Sequence, residues 1–159
     1  MLTITVDDSA FRATMRRLQD GMSDLTPVME RIGYTLETNI RGRFETKTDP
    51  TGQRWKPWAA STRETYPTPG SVFAKTEGPG NGRLLDRYGT MLAGLSYEAQ
   101  ADSVRVGFAM PYAAYHEYGT KKMPRRGMLM GNPDAGTLGQ ADERAVLDIL
   151  DGFLQGLTK

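Results

Sequence analysis

Between Glu45 and Gly82, ten of thirty-eight residues are glycine or proline, about twice the usual combined share. That stretch limits what the rest of the chain can be. Thr68-Pro69-Gly70 and Gly78-Pro79-Gly80-Asn81-Gly82 leave no run in which a helix or strand could persist. A loop of this length inside a compact domain is uncommon and is usually functional or ordered on assembly. The core must come from what flanks it, and neither flank holds a complete core by itself. At 159 residues the chain has room for one domain, 1–159, from which residues 45–82 make a long excursion.

The N-terminal flank begins with Leu2, Ile4 and Val6 alternating with Thr3 and Thr5, the two-residue period of a half-buried strand. Asp7, Asp8 and Ser9 then supply a helix start. Phe11, Met15, Leu18 and Met22 follow at helical spacing up to a stop at Gly21. A second helix is predicted from Thr26-Pro27, proline being tolerated at the first turn. Its apolar stripe is Val28, Ile32, Leu36, Ile40 and Phe44.

Beyond the loop, residues 83–91 read as a short helix or turn. Leu95-Tyr97-Ala99 and Val104-Val106-Phe108 alternate with polar neighbours around Ala101-Asp102-Ser103, which predicts a β-hairpin. Residues 111–118 read as a brief helix ending at Gly119, and 128–130 as a further short strand. Val146, Ile149, Leu150, Phe153 and Leu157 mark a C-terminal amphipathic helix over 139–157. The fold class is therefore α+β: a small antiparallel sheet packed against two or three amphipathic helices, with a long Gly/Pro-rich loop.

Composition removes most chemistry. There is no cysteine and one histidine, His116, so disulfides, thiol nucleophiles and thiolate metal sites are excluded together. His116-Glu117 starts a zinc-hydrolase pattern, but the second histidine would fall at Thr120. A hydrolase acting through His116 and Glu117 is thus a remote reading, and a hydrogen-bonded imidazole near a turn the ordinary one. Gly78 to Gly82 lacks the Gly-Lys-Ser/Thr ending of a phosphate loop. Asp7/Asp8 and Asp142/Glu143 lie where helix starts favour negative charge. No catalytic, cofactor-binding or metal-binding constellation emerges, and the chain is not expected to be an enzyme. The apolar runs are too short for a membrane span, and the first residues lack the basic flank and apolar stretch of a secretory signal.

What remains is adhesive. Lys121, Lys122, Arg125 and Arg126 form a basic cluster around Met123-Pro124, open to two readings: a solvated loop, or contact with DNA phosphates or an acidic partner. Tyr112, Tyr115 and Tyr118 lie three apart just upstream, on one helix face, as core or interface residues. Trp55 and Trp58 are anchors within the loop, folded back on the domain or buried in a neighbouring subunit. Residues 102–127 carry five basic and two acidic side chains, and 134–159 five acidic and two basic. Opposite charge thus segregates along a chain of formal net charge +1.

Four pieces, in order, resemble the phage virion morphogenesis family, the tail-completion or neck proteins of Mu-like and P2-like tailed phages. The first is Phe44, then Asp49-Pro50-Thr51-Gly52-Gln53-Arg54-Trp55-Lys56-Pro57-Trp58, with Thr62 after it. Leu84-Leu85-Asp86-Arg87-Tyr88-Gly89-Thr90-Met91 is the second. Val106-Gly107 with Tyr112-Ala113-Ala114-Tyr115-His116-Glu117-Tyr118-Gly119 is the third, and Met123-Pro124-Arg125-Arg126 with Leu129 the fourth. The chain departs from the family in carrying Arg126-Gly127-Met128-Leu129 where an Arg-Pro-aromatic-Leu run is usual. It also has extra length at 132–138.

The resemblance implies a structural protein of the head–tail connector, a homo-oligomeric ring, hexameric by family likeness, at the virion neck. Assembly would take place in the host cytoplasm, without cofactor or membrane. Its partners would be other neck and tail proteins, such as head-closure and tail-terminator proteins, with DNA passing through the lumen. Trp55, Trp58, Tyr112, Tyr115 and Tyr118 would serve subunit or partner contacts, and Lys121, Lys122, Arg125 and Arg126 a DNA channel or a partner. The competing reading is a small DNA-binding module using the 121–126 cluster, whose affinity would fall steeply between about 50 and 200 mM salt.

Overall fold

The computed structural model describes residues 9–65, 84–85 and 89–158. The expected strand over residues 2–6 and the middle of the Gly/Pro-rich loop lie outside them. Helix α1 spans Ser9–Gly21 and α2 spans Thr26–Thr46. Asp24 leads into α2 by accepting the Thr26 amide at 2.9 Å; the Thr26 side chain, and secondarily that amide, hold its carboxyl below the usual range. Lys47 closes α2 in the left-handed conformation, its amide returning to the Arg43 carbonyl.

Short helices α3 (Ala60–Thr65) and α4 (Thr90–Ala93) precede strands β1 (Leu95–Ala99) and β2 (Val104–Phe108). These strands pair antiparallel with Leu95 opposite Phe108 and Ala99 opposite Val104. Helix α5 (Ala113–Tyr118) and the long α6 (Gln140–Thr158) complete the described elements. The described architecture is α+β, with one two-stranded antiparallel sheet.

Helix α2 is the axis of the fold because its stripe repeats every four residues and so winds slowly around the helix, about 40° per step, meeting different partners along its length. Val28, Ile32, Leu36, Ile40 and Phe44 are all buried. The first three pack with Val104, Val106, Val146, Ile149, Leu150 and Phe153, so the sheet and α6 cover the same half of α2. Ile40 and Phe44 belong to a second cluster with Trp55, Leu84, Leu85, Met91, Leu95 and Met128. The loop therefore completes the core at its first end. Asp49 accepts the amides of Thr51 and Gln53 through one carboxylate oxygen, at 2.8 and 3.0 Å. With Gly52 at positive φ, this tight turn returns the chain so that the Trp55 amide bonds the Lys47 carbonyl at 2.8 Å.

Two expectations need correction. Residues 128–130 form no strand, because their amides are taken by a carboxylate rather than by a neighbouring strand. Asp142 does more than complement a helix start: it is buried and ion-paired to Arg43 of α2, and also accepts from Asn39 at 3.0 Å. The start of α6 is thereby fastened to α2. Gly139 just before it lies so close to Pro50 that an added Cβ would sit 2.2 Å from the Pro50 carbonyl oxygen.

Candidate functional site

The side chains singled out in the sequence converge on α5 and the two segments that cross it. Helix α5 is short because Gly119, at φ 75°, turns the chain away after Tyr118. An added Cβ there would meet the Arg125 amide nitrogen at 2.9 Å, so the turn and the basic loop are packed backbone to backbone. At the inner face of α5 stands Glu117, only 2% exposed. Its Oε2 accepts the amides of Met128 and Leu129 at 2.7 and 2.9 Å, and Oε1 accepts that of Met130 at 3.1 Å. Arg125 donates from Nη2 to the same Oε1 at 3.3 Å. A carboxylate has about four acceptor positions, and these four donors occupy them.

The basic cluster is divided by this arrangement. The Arg125 guanidinium also donates to the carbonyls of Glu117 (2.9 Å) and Met130 (2.6 Å), and lies 3.8 Å from Asp49. Arg126 is buried and donates to the carbonyls of Lys56 and Pro57 at 2.7 and 2.9 Å. Both arginines are thus engaged in holding this chain's own loops. Lys121 and Lys122 are exposed, on a turn closed by reciprocal backbone bonds between Thr120 and Met123. Two of the four charges remain available to an outside phosphate or carboxylate.

The tryptophans divide as well. Trp55 is 6% exposed, packs edge-on against Phe44 with ring centroids 5.4 Å apart, and donates from Nε1 to the Gly127 carbonyl at 2.9 Å. Of the two alternatives for this anchor, it takes the fold-back one: it is a core residue of its own chain, and the first end of the loop is no free arm. Trp58 is half-buried and packs on the same core cluster. It borders an open cleft of about 830 Å³ shared with Met91, Tyr112, His116 and Met123. The tyrosines face outward, Tyr115 at 60% and Tyr118 at 58% exposure.

His116 stands in the cleft wall beside Arg126. Burial, and secondarily the Arg126 charge, lower its pKa from the ordinary 6.5. Its Nδ1 is buried and has no hydrogen-bond partner among the described residues, so the bond expected of an imidazole near the turn is not made at that nitrogen. The neighbouring Glu117 carboxylate is turned inward to backbone amides. The pair therefore has no geometry for general acid–base work on a bound molecule. No group of three or more His, Cys, Asp or Glu that could hold a metal ion occurs among the described residues.

Sequence reasoning missed the two buried carboxylates, Glu117 and Asp142. For Asp142 a signal existed: Asp142 falls on the same helix face as Val146, Ile149 and Phe153, which places it toward the core. Glu117 offered no comparable pattern.

Comparison with protein-family models matches residues 6–155 to one described as the phage virion morphogenesis family. No curated protein and no solved structure matches the chain.

Proposed function

The chain belongs to the phage virion morphogenesis family, a structural component of the virion, and from that premise we propose that it joins head to tail as a ring at the neck. Membership of the family over nearly the whole chain is the observation that carries this reading. The geometry supports it. The side chains that sequence would have offered to a catalyst or a DNA coat (Glu117, Arg125, Arg126) are spent on fixing loops around a rigid core. What the surface presents instead is contact area: exposed tyrosines, two lysines and the outer face of α6.

A ring requires a heterologous interface, in which one patch meets a different patch on the next copy. A near-neutral chain with segregated charge is suited to that. The competing DNA-binding module is left with Lys121 and Lys122 for phosphate contact. Two contacts give a salt slope of only about −2, weak for an independent DNA binder. The test is reconstitution. An extract of cells infected with phage lacking this gene should yield infectious particles once the purified protein is added. Failure of added, correctly folded protein to restore infectivity, with heads and tails both present, would count against a joining role.

A further inference from the structure

Two faces of the fold carry exposed apolar side chains, and they are complementary. The first is the outer side of α6. Leu147 and Leu154 are 57% and 45% exposed. Seven residues apart, they lie two turns along one stripe, about 10 Å from each other. Glu143, Asp148 and Asp151, all exposed, flank that stripe with one exposed base, Arg144, among them, while another side of the helix packs on α2 through Val146, Ile149 and Phe153. The second is the outer side of α5 with the following turn. Tyr115 and Tyr118 are one helical turn apart there, and Lys121 and Lys122 lie just beyond. One face is aliphatic with a rim that is acidic on balance, three carboxylates to one arginine; the other is aromatic and rimmed with base.

We infer that these two faces dock on each other between successive copies of the chain, α6 of one subunit lying across α5 and the Lys121–Lys122 turn of the next. The inference rests on the ring reading and names the surfaces that would close it. A second copy is favoured over any other occupant because both halves of the complementary pair belong to one chain. Aromatic residues at the centre of such a contact would supply most of the attachment, and the charged rims its register and selectivity. Two different patches can meet once per pair of subunits, the head-to-tail arrangement that ring closure demands; the same pairing made twice about a two-fold axis would stop at dimers. Lys121 and Lys122 then face a neighbouring subunit and not DNA.

Charge exchange in the phage tests this. Lys121→Glu with Lys122→Glu places acid against acid, and Asp148→Lys with Asp151→Lys places base against base. Asp148 and Asp151 lie beyond the first turn of α6, so lysine there does not oppose the helix dipole. Each pair should lower infectious titre by about a hundredfold, as like-charge juxtaposition at an interface weakens it by that order. All four changes together should return it to within about tenfold of the native phage, since the reversed charges again match. No loss from either pair, or a quadruple variant no better than the worse pair, overturns the inference; the second result would assign the lysines to DNA or to another protein.

An independent measurement uses the absence of native cysteine. Tyr118→Cys combined with Leu147→Cys should give a ladder of covalent oligomers when assembled particles are oxidised, and neither single variant should. Monomers from the double variant, or dimers from a single one, contradict the head-to-tail contact. If phage lacking the gene still join heads to tails, the ring reading itself has failed. If joining is lost in that phage but charge exchange does not rescue, the ring reading stands and only these surfaces are wrong.

Discussion

Glu117 shows how one side chain can stand in for a strand. The amides of Met128, Leu129 and Met130 point inward and would be costly to leave unpaired. A strand partner would satisfy only alternate ones, whereas the two carboxylate oxygens take all three and the Arg125 guanidinium besides. Replacing Glu117 by Gln keeps the shape but turns one acceptor oxygen into a donor, whichever way the amide is flipped. At least one amide or guanidinium donor then faces another donor in a buried site. The expected cost is about 2–4 kcal/mol, read as a lower urea midpoint at unchanged slope.

His116 supplies a pH test at the same scale. Burial and Arg126 lower its pKa, so the folded chain binds this proton more weakly than the unfolded one. Its contribution to stability is therefore full above pH 6.5, the ordinary value. It declines as the pH falls below that, and levels off once the folded imidazole is itself protonated. His116→Gln should flatten the unfolding free energy over that window, which urea titrations at a series of pH values would show. Little of this was legible in the sequence, where His116-Glu117 is only the start of a zinc pattern that Thr120 breaks. A carboxylate bonding amides eleven to thirteen positions away leaves no periodicity behind.

At the scale of elements, periodicity carried the reading wherever burial has a period. The four-residue stripe of α2, the alternation of β1 and β2 and the apolar face of α6 all stand where the residue pattern puts them, because each pattern is itself the record of a buried face. The exception among the described segments is 128–130, whose short apolar run suggests a strand. Its backbone bonds go to Glu117, and a run of that length does not reveal its partner.

The joint between α2 and α6 is a polar one. Arg43 donates to the Met128 carbonyl at 2.7 Å as well as pairing with Asp142, so this ion pair ties the second core cluster to the start of α6. Removing Arg43 alone, as Arg43→Met, should cost about 3–5 kcal/mol by stranding a buried carboxylate. The double variant Arg43→Met with Asp142→Leu should regain much of that in the same denaturation assay. Trp55 is the apolar counterpart. Trp55→Ala should destabilise the monomer by about 3–5 kcal/mol, with thermal melts followed by circular dichroism as the check. A tryptophan reserved for a neighbouring subunit would leave the monomer's melting unchanged.

At the scale of the whole molecule, the chain divides its residues between holding itself and presenting a surface. Arg125, Arg126 and Trp55 look adhesive in the sequence and are structural in the fold. Tyr115, Tyr118, Lys121 and Lys122 remain outside, as does the outer face of α6. Which of two adjacent cations is internal could not be told from residue type, since it depends on where the loop carbonyls of Lys56 and Pro57 come to lie. What the sequence did support was the family, through the order of the Asp49–Trp58 and Tyr112–Gly119 segments, and the family match over residues 6–155 agrees with it.

The measurement that bears most directly on the central claim is electron microscopy of a lysate from phage lacking this gene. A neck-joining ring predicts DNA-filled heads lying beside separate, finished tails of uniform length. Normal joined particles would contradict it, and tails of irregular length would move the protein's action from joining to tail termination.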